Sequence, residues 1–466
     1  MALWMEWWKW AHALRGACAR ERTFMWLLVA IIGFTIRDDL LGVSSFIRCV
    51  GLQEFCYDRL LDFFHSSALC VPDLTRMWTS TVFGLHPGIV RHNGRPVIVG
   101  DGLKIGKSGR KMPGVKSLHQ ESESNSKPEY IMGHSCQAVC VLVTCLASVV
   151  AIPLAARIHE GIVFSNRDKR TTLDKMVLLI RELGIKGGFI LIADAYYASR
   201  KIILPLLKQG SHLISKMKTN AVAYLPATAP AKGRRGRKKF YGRKLKLSTM
   251  FDELSAMKEA LSPVYGEKGI VLRYTSQMLL WRPVGVMVLF VAVIHPTRGK
   301  CLLLCTDLGI EPLEVIRLYG LRFKIEVSFK QSIHTIGAYL YHFWMAAMTP
   351  LRRWAGDQHM HMKSAEYRNA VRRKMEAYHR FMQVGLIAQG IMAAISTTVP
   401  LVVWVSFGSW LRTVRPGVCP SEMVVSIAMR NSFPEFLIGK SPAANLTKFI
   451  IERIDMSRGN ASKLAA

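Results

Sequence analysis

Two short apolar runs in this chain each end on an acid: Val97-Ile98-Val99-Gly100-Asp101 and Leu191-Ile192-Ala193-Asp194. In α/β sheets, ligands and catalytic groups gather at the carboxyl ends of the strands. Two carboxylates placed there suit a hard divalent cation, Mg²⁺ or Mn²⁺, with open positions left for phosphate and water. A single strand-end Asp is often only a helix cap, so the pair is what carries weight. A second set is Tyr319, Arg322, Glu326 and Lys330. On a helix running from about Pro312, their spacings of three, four and four put all four on one stripe. The plainer reading is an amphipathic helix with an ordinary Arg–Glu pair, its apolar face formed by Leu318, Leu321, Ile325 and Phe329. Asp38, Asp39, Glu160, Asp174 and Asp307 compete as acids, and Asp307 also ends a strand.

The elements that must position these groups read as a mixed α/β core. Residues 1–95 read as helical, with Trp4, Trp7, Trp8 and Trp10 near helical spacing. Residues 96–216 alternate strand, hairpin, helix, strand, helix and strand, which indicates a mixed sheet covered by helices. Residues 217–300 read as a β-rich basic insertion, with Val271 to Trp281 and Val284 to Ile294 as paired strands. Residues 301–345 return a strand, Cys301 to Thr306, and the helix carrying Glu326. Residues 346–466 read as helical, basic as far as Arg380 and apolar beyond it.

The chain has 466 residues, 63 Lys or Arg against 32 Asp or Glu, and a formal net charge of +31. Half of it is hydrophobic, which excludes a disordered chain. Such a surplus of positive charge calls for a polyanion, either nucleic acid or an anionic membrane surface. The surplus gathers after Asp101, across the acid-free stretch from Ala195 to Phe251, and from Arg352 to Arg380. The ten Cys include no Cys-x-x-Cys pair, so buried reduced thiols and a cytoplasmic setting are expected. The pair His359 and His361 reads as surface rather than metal ligand. The uncharged run Phe381 to Leu411 raises a membrane span, but Gln383, Gln389, Ser396, Thr397, Thr398 and Pro400 within it suit a buried helix better. No membrane and no organic cofactor are expected.

Taken in order, Asp101, Asp194, the insertion and the Tyr319-x2-Arg322-x3-Glu326 segment resemble the DDE transposases of bacterial insertion sequences, in particular the group with a β-strand insertion before the Glu. That group's Lys lies seven residues past the Glu, where this chain has Ile333; Lys330 lies at four. The Cys305-Thr306-Asp307 strand end and Gly236-Arg237-Lys238-Lys239-Phe240-Tyr241-Gly242 also look like that group. The resemblance covers roughly residues 96 to 345. It implies a ribonuclease-H-like core with helical flanks, and a transposase that cuts transposon ends and joins them to target DNA. Asp101, Asp194 and Glu326 would hold Mg²⁺, Arg322 would neutralise phosphate, and Tyr319 would stack on or hydrogen-bond a DNA end. Lys104, Lys107, Arg110 and Lys111, which follow the first Asp, would grip the DNA backbone, as would Arg234, Arg235, Arg237, Lys238 and Lys239 in the insertion, with Lys330 beside the signature. The partner implied is double-stranded DNA, bound by a homodimer in the synaptic complex. A standalone metal-dependent nuclease on the same fold and a catalytically inactive DNA-binding relative are the rival readings.

Overall fold

The structure, a computed structural model, describes residues 1–120, 128–227, 239–408, 413–440 and 442–457. It divides into two compact units: Met1–Ile89, Gly102–Ile185 and Ile325–Ala466 form the first, and Val90–Asp101 with Lys186–Lys324 the second. In chain order, helices α1 (Ala2–His12), α2 (Glu21–Ile36), α3 (Val43–Val50), α4 (Phe55–His65) and α5 (Val71–Leu85) come first. Strands β1 (Arg91–His92), β2 (Arg95–Gly106), β3 (Lys116–His119), β4 (Tyr130–Cys145), β5 (Ser148–Ile158) and β6 (Ile162–Val163) follow, then α6 (Thr172–Glu182). Next are β7 (Ile190–Ala193), α7 (Arg200–Lys208), β8 (His212–Met217), β9 (Val222–Pro226), β10 (Tyr241–Lys246) and β11 (Lys258–Leu261). After them come β12 (Val271–Trp281), β13 (Val286–His295), β14 (Gly299–Cys305) and α8 (Pro312–Gly320). Last are α9 (Lys324–Gln331), β15 (Gln358–His359), α10 (Ala365–Thr398), α11 (Pro400–Phe407), α12 (Glu422–Asn431), α13 (Phe433–Ile438) and α14 (Ala444–Ile451). The mixed α/β class expected from the sequence is what the chain adopts.

The second unit is built on one sheet, ordered β10-β9-β12-β13-β14-β8-β7-β2. Strands β2, β7 and β8 run parallel, with Gly100 opposite Ala193 and Ala193 opposite Ser215. The whole of β7 is buried, which is why it reads as an unbroken apolar run rather than an alternating one. Helix α7 makes the crossover from β7 to β8, and its N-cap Ser199 Oγ accepts the Lys201 N–H at 3.3 Å. The hairpin β12–β13 pairs antiparallel, as the two expected strands require. Strand β14 lies antiparallel to β8, with Cys305 opposite Ile214.

In the first unit the helices gather round α10. Every residue of α2 from Phe24 to Ile36 is buried, and Gly390 of α10 lets Trp78 approach so closely that a Cβ there would sit 2.3 Å from its ring. Trp78 in turn donates its indole N–H to the Pro153 carbonyl of β5 at 2.8 Å. Gln383, Gln389 and Ser396 inside the apolar run are buried and satisfied. Gln383 donates to Leu154 O at 2.8 Å and accepts from Arg157 at 2.9 Å, while Gln389 donates to Ser328 O of α9 at 3.0 Å. Leaving one such amide unpartnered would cost about 1–3 kcal/mol. Among the described residues α10 alone is long and apolar enough to cross a membrane, and 89% of its apolar window is buried by the protein itself. The residue before Pro400, Val399, leaves helical geometry at φ −133°, which ends α10.

Two expectations about helices are corrected. The stretch 346–364 is turns with the short strand β15, not helix. Its backbone groups are engaged elsewhere: Leu351 N–H donates to Arg110 O and Ala355 O accepts from Ser117 N–H, each at 2.7 Å. The helix from Pro312 is also not continuous. It stops at Gly320, and tight i to i+3 bonds (Leu321 N–H to Leu318 O, Lys324 N–H to Leu321 O, each 3.0 Å) carry the chain to α9. Glycine is a poor helix interior residue, and Gly320 packs on Val264. Tyr319 therefore belongs to α8, Arg322 to the connecting turn, and Glu326 with Lys330 to α9.

Candidate active site

Asp101 and Asp194 follow directly on the registered pair Gly100 and Ala193, so they stand side by side where the parallel pairing of β2 with β7 ends. Asp194 follows the end of β7, as its apolar run predicts, whereas β2 runs on to Gly106 and Asp101 lies inside it. Asp194 also opens the tight turn Ala195–Tyr197, and its carbonyl accepts the hydroxyl of buried Ser215 at 2.9 Å, which fixes its backbone to β8. Sequence reasoning missed Ser215; in β8, which also carries His212 and Lys216, nothing in the sequence marks it. Arg322 reaches Asp101, with Nη1 2.9 Å from Oδ2 and both side chains largely shielded. The Tyr319 phenol lies beside Arg322 and is pushed above its ordinary range by burial, with Arg322 opposing the shift.

Asp307, the strongest competing acid, falls at the other end of the same sheet. Because β14 is antiparallel to β8, the end of β14 meets the start of β8: Thr306 N–H donates to Leu213 O at 3.0 Å. There Asp307 pairs with Arg95 at 2.8 Å, at the beginning of β2. It is held apart from the Asp101–Asp194 pair by the length of the parallel strands.

Next to Arg322 the second unit holds a cavity of about 550 Å³. Among the described residues Lys216, Arg298, Lys300 and Arg322 line it and no carboxylate does, although Arg298 pairs with Glu267 at 2.8 Å. Tyr265 and Tyr319 add aromatic walls, and Lys324 places its ammonium 3.8 Å from the Tyr265 ring. His295 at the rim pairs with Glu267 at 3.3 Å. The charge pattern is two acids beside a cationic, partly aromatic chamber. Such a chamber suits an anionic group better than a neutral or cationic one. The sequence had signalled the basic stretch but not that Lys216 of β8 converges with Arg298 and Lys300 of the β13–β14 hairpin.

Glu326 lies in the first turn of α9 and Lys330 in its last, both exposed. Lys107 is only 5% exposed, its ammonium donating to the carbonyls of Tyr339 and Tyr341, and burial pulls its pKa down to about 8. It is a clamp on the 339–341 segment and offers no group to a surface ligand. Lys104, Arg110 and Lys111 also donate to carbonyls, those of His119, Leu351 and Ala346, while staying at or near the surface. Lys239 is exposed; Arg234, Arg235, Arg237 and Lys238 lie outside the described residues.

The two aspartates form a hard oxygen pair that suits Mg²⁺ or Mn²⁺ in donor type. Among the described residues, no three His, Cys, Asp or Glu side chains are gathered as a metal cluster. All ten cysteines are free thiols, and burial pushes those of Cys136, Cys140 and Cys305 up to about 12.

Residues 52–263 match the family described as DDE superfamily endonuclease. The matched stretch contains Asp101 and Asp194 and stops short of Tyr319, Arg322 and Glu326. No curated protein matches. Among solved structures, the chain is similar to a piggyBac transposase in a synaptic complex with hairpin DNA, seen by cryo-EM, at 12% identity over 96% of this chain and 81% of that one, with a TM-score of 0.34.

Proposed function

We propose that this chain is a metal-dependent DNA endonuclease and strand transferase, a transposase that cuts element ends and joins them to target DNA. The observation that carries the reading is the registered Asp101–Asp194 pair with Arg322 on Asp101, beside a partly aromatic chamber whose charged lining residues are cations. The match of residues 52–263 to an endonuclease family agrees with it. Asp101 and Asp194 would hold the metal, and the resemblance of the Tyr319-x2-Arg322-x3-Glu326 segment adds Glu326 as the third carboxylate. Mg²⁺ or Mn²⁺, when bound, supplies Lewis-acid activation of the attacking oxygen and neutralises charge on the leaving one.

The chain's own residues do the positioning. Ser215 holds the Asp194 backbone to β8, so the two carboxylates keep a fixed separation. Arg322 has a planar fork that can leave Asp101 for a phosphate and bind two of its oxygens, which Lys cannot do. Lys216, Arg298 and Lys300 neutralise the adjoining backbone. The reaction needs no covalent protein–DNA bond, so one set of acids serves both cleavage and joining. Joining two ends implies two such sites, and hence a homodimer during synapsis.

The test is incubation of the purified protein with duplexes carrying the inverted repeats that flank its gene, in Mg²⁺, with products resolved on denaturing gels. Nicked ends followed by joined products are expected. Asp101→Ala, Asp194→Ala and Glu326→Ala should each abolish cleavage and leave DNA binding in place. Cleavage that survives any one of the three removes that residue from the triad. Cleavage that never yields a joined product leaves a standalone nuclease.

A further inference from the structure

In the first unit, apart from the Asp101–Asp194 pair and its chamber, an aromatic corner is displayed on a basic surface. Trp354 is 50% exposed and Tyr130 45%, and their ring centroids lie 6.4 Å apart with planes at 76°. Arg353 sets its guanidinium 4.9 Å from the Trp354 ring, and His119 extends the corner 5.1 Å beyond Tyr130. Together with Ser117, Pro128 and Glu129 they enclose an open cavity of about 600 Å³.

Large exposed aromatics usually signal a partner, and two features set this one apart from a chance surface Trp. The first is strain. Trp354 holds φ +66°, a left-handed conformation that is uncommon for any residue with a side chain and an outlier for a bulky one. The second is rigidity. The turn bearing it is pinned at both ends, by Leu351 N–H to Arg110 O and by Ser117 N–H to Ala355 O, each 2.7 Å, and closed by Ala355 N–H to Arg352 O at 3.2 Å. Backbone strain maintained by such bracing keeps the indole turned outward, where it buries little and stabilises the fold little.

The surrounding charge selects the ligand. Arg352, Arg353, Arg110 and Lys104 are all exposed, Lys104 donating to His119 O and Arg110 to Leu351 O, and among the described residues the one acid lining the cavity, Glu129, lies 3.7 Å from His119. Planar faces among cations suit a planar ring that carries an anion, since every base has a π-face to stack and a phosphate to pair. We propose that the Trp354–Tyr130 corner seats an unpaired nucleotide of single-stranded DNA. This rests on the DNA-processing reading and adds to it a second DNA contact, specific for strands that are not paired.

The experiment uses the full chain in EDTA, so that no cleavage is read. A short oligothymidylate and a blunt duplex of equal length, both fluorescein-labelled, are titrated by anisotropy. Trp354→Gly is the informative variant, because glycine adopts φ +66° without strain and the thermal midpoint should hold or rise. It should weaken single-strand binding about tenfold while leaving duplex affinity unchanged. Trp354→Phe, which keeps a stacking face, should recover most of the loss, and Tyr130→Ala should give part of it. Unchanged single-strand affinity in Trp354→Gly overturns the proposal and leaves the corner to a peptide; equal loss on both DNAs overturns it in favour of general electrostatics. A protein that binds single strands in this way but cuts nothing with Mg²⁺ would sink the cleavage reading alone.

Discussion

Arg322 sits between two duties. It neutralises Asp101 at 2.9 Å, and it lines the cationic chamber where a phosphate would enter. Arg322→Lys keeps the charge and loses the fork, so cleavage should fall about tenfold or more with folding unaffected; a gel assay and a melting curve separate the two. At this scale the sequence was readable where chemistry is local. The apolar run before Asp194 is the buried strand β7, which stops before the charge, and the run before Asp101 is the buried first half of β2, which then continues with alternating exposure to Gly106. The sequence was unreadable where a distant segment decides the outcome. Lys107 reads as a surface cation after Asp101 and is instead buried by the carbonyls of Tyr339 and Tyr341. Asp307 ends a strand in the sequence as Asp101 and Asp194 do, and only the antiparallel register of β14 shows that it falls at the far end of the sheet.

Among the elements, periodicity and turn residues located the strands of the second unit well, including the β12–β13 hairpin, since each strand's burial follows from its own neighbours. The helices were harder. The spacing of Tyr319, Arg322, Glu326 and Lys330 fits one helix, yet Gly320 and the contact with Val264 break it. The stretch 346–364 has the composition of a helix but contains Pro350 and Gly356, and its backbone is taken up by residues 110–117. Helix α10 was legible as buried because its glutamines made no sense facing lipid. Its fit against α5 gives a prediction: Gly390→Val would drive side-chain atoms into Trp78, where even a Cβ lies 2.3 Å from the ring. Overpacking of this kind costs about 1–3 kcal/mol, so the melting temperature should fall by several degrees, whereas Gly356→Ala, which meets nothing, should leave it unchanged.

For the whole molecule, titration of the interior sets a limit that net charge does not reveal. Burial pulls His86 down to about 4, His134 and His159 to about 3, and His379 well below its ordinary value. Nε2 of His379 accepts the Ile158 N–H at 3.1 Å, which requires the neutral ring. The unfolded chain takes up these protons first, near pH 6.5. The stabilisation is therefore complete above that value and is lost as pH falls towards the folded values. Between about pH 7 and about pH 5 the melting temperature should drop steeply, and His379→Gln, which keeps an acceptor and gains no proton, should drop less; equal slopes would clear His379 of any part. The division into two units has a different consequence, one of timing. The first unit is assembled from three separated stretches, Met1–Ile89, Gly102–Ile185 and Ile325–Ala466. Helix α2 is made early and wholly apolar from Phe24 to Ile36, but α10, which packs on it, leaves the ribosome roughly twenty to seventy seconds later at ordinary synthesis rates. Through that interval α3 and α4, made directly after α2, can pack on it, but the face that α10 covers stays open while the second unit is being finished. A chain arrested before Ala365 should therefore be found with chaperones or in aggregates, and the same chain released after α10 should not.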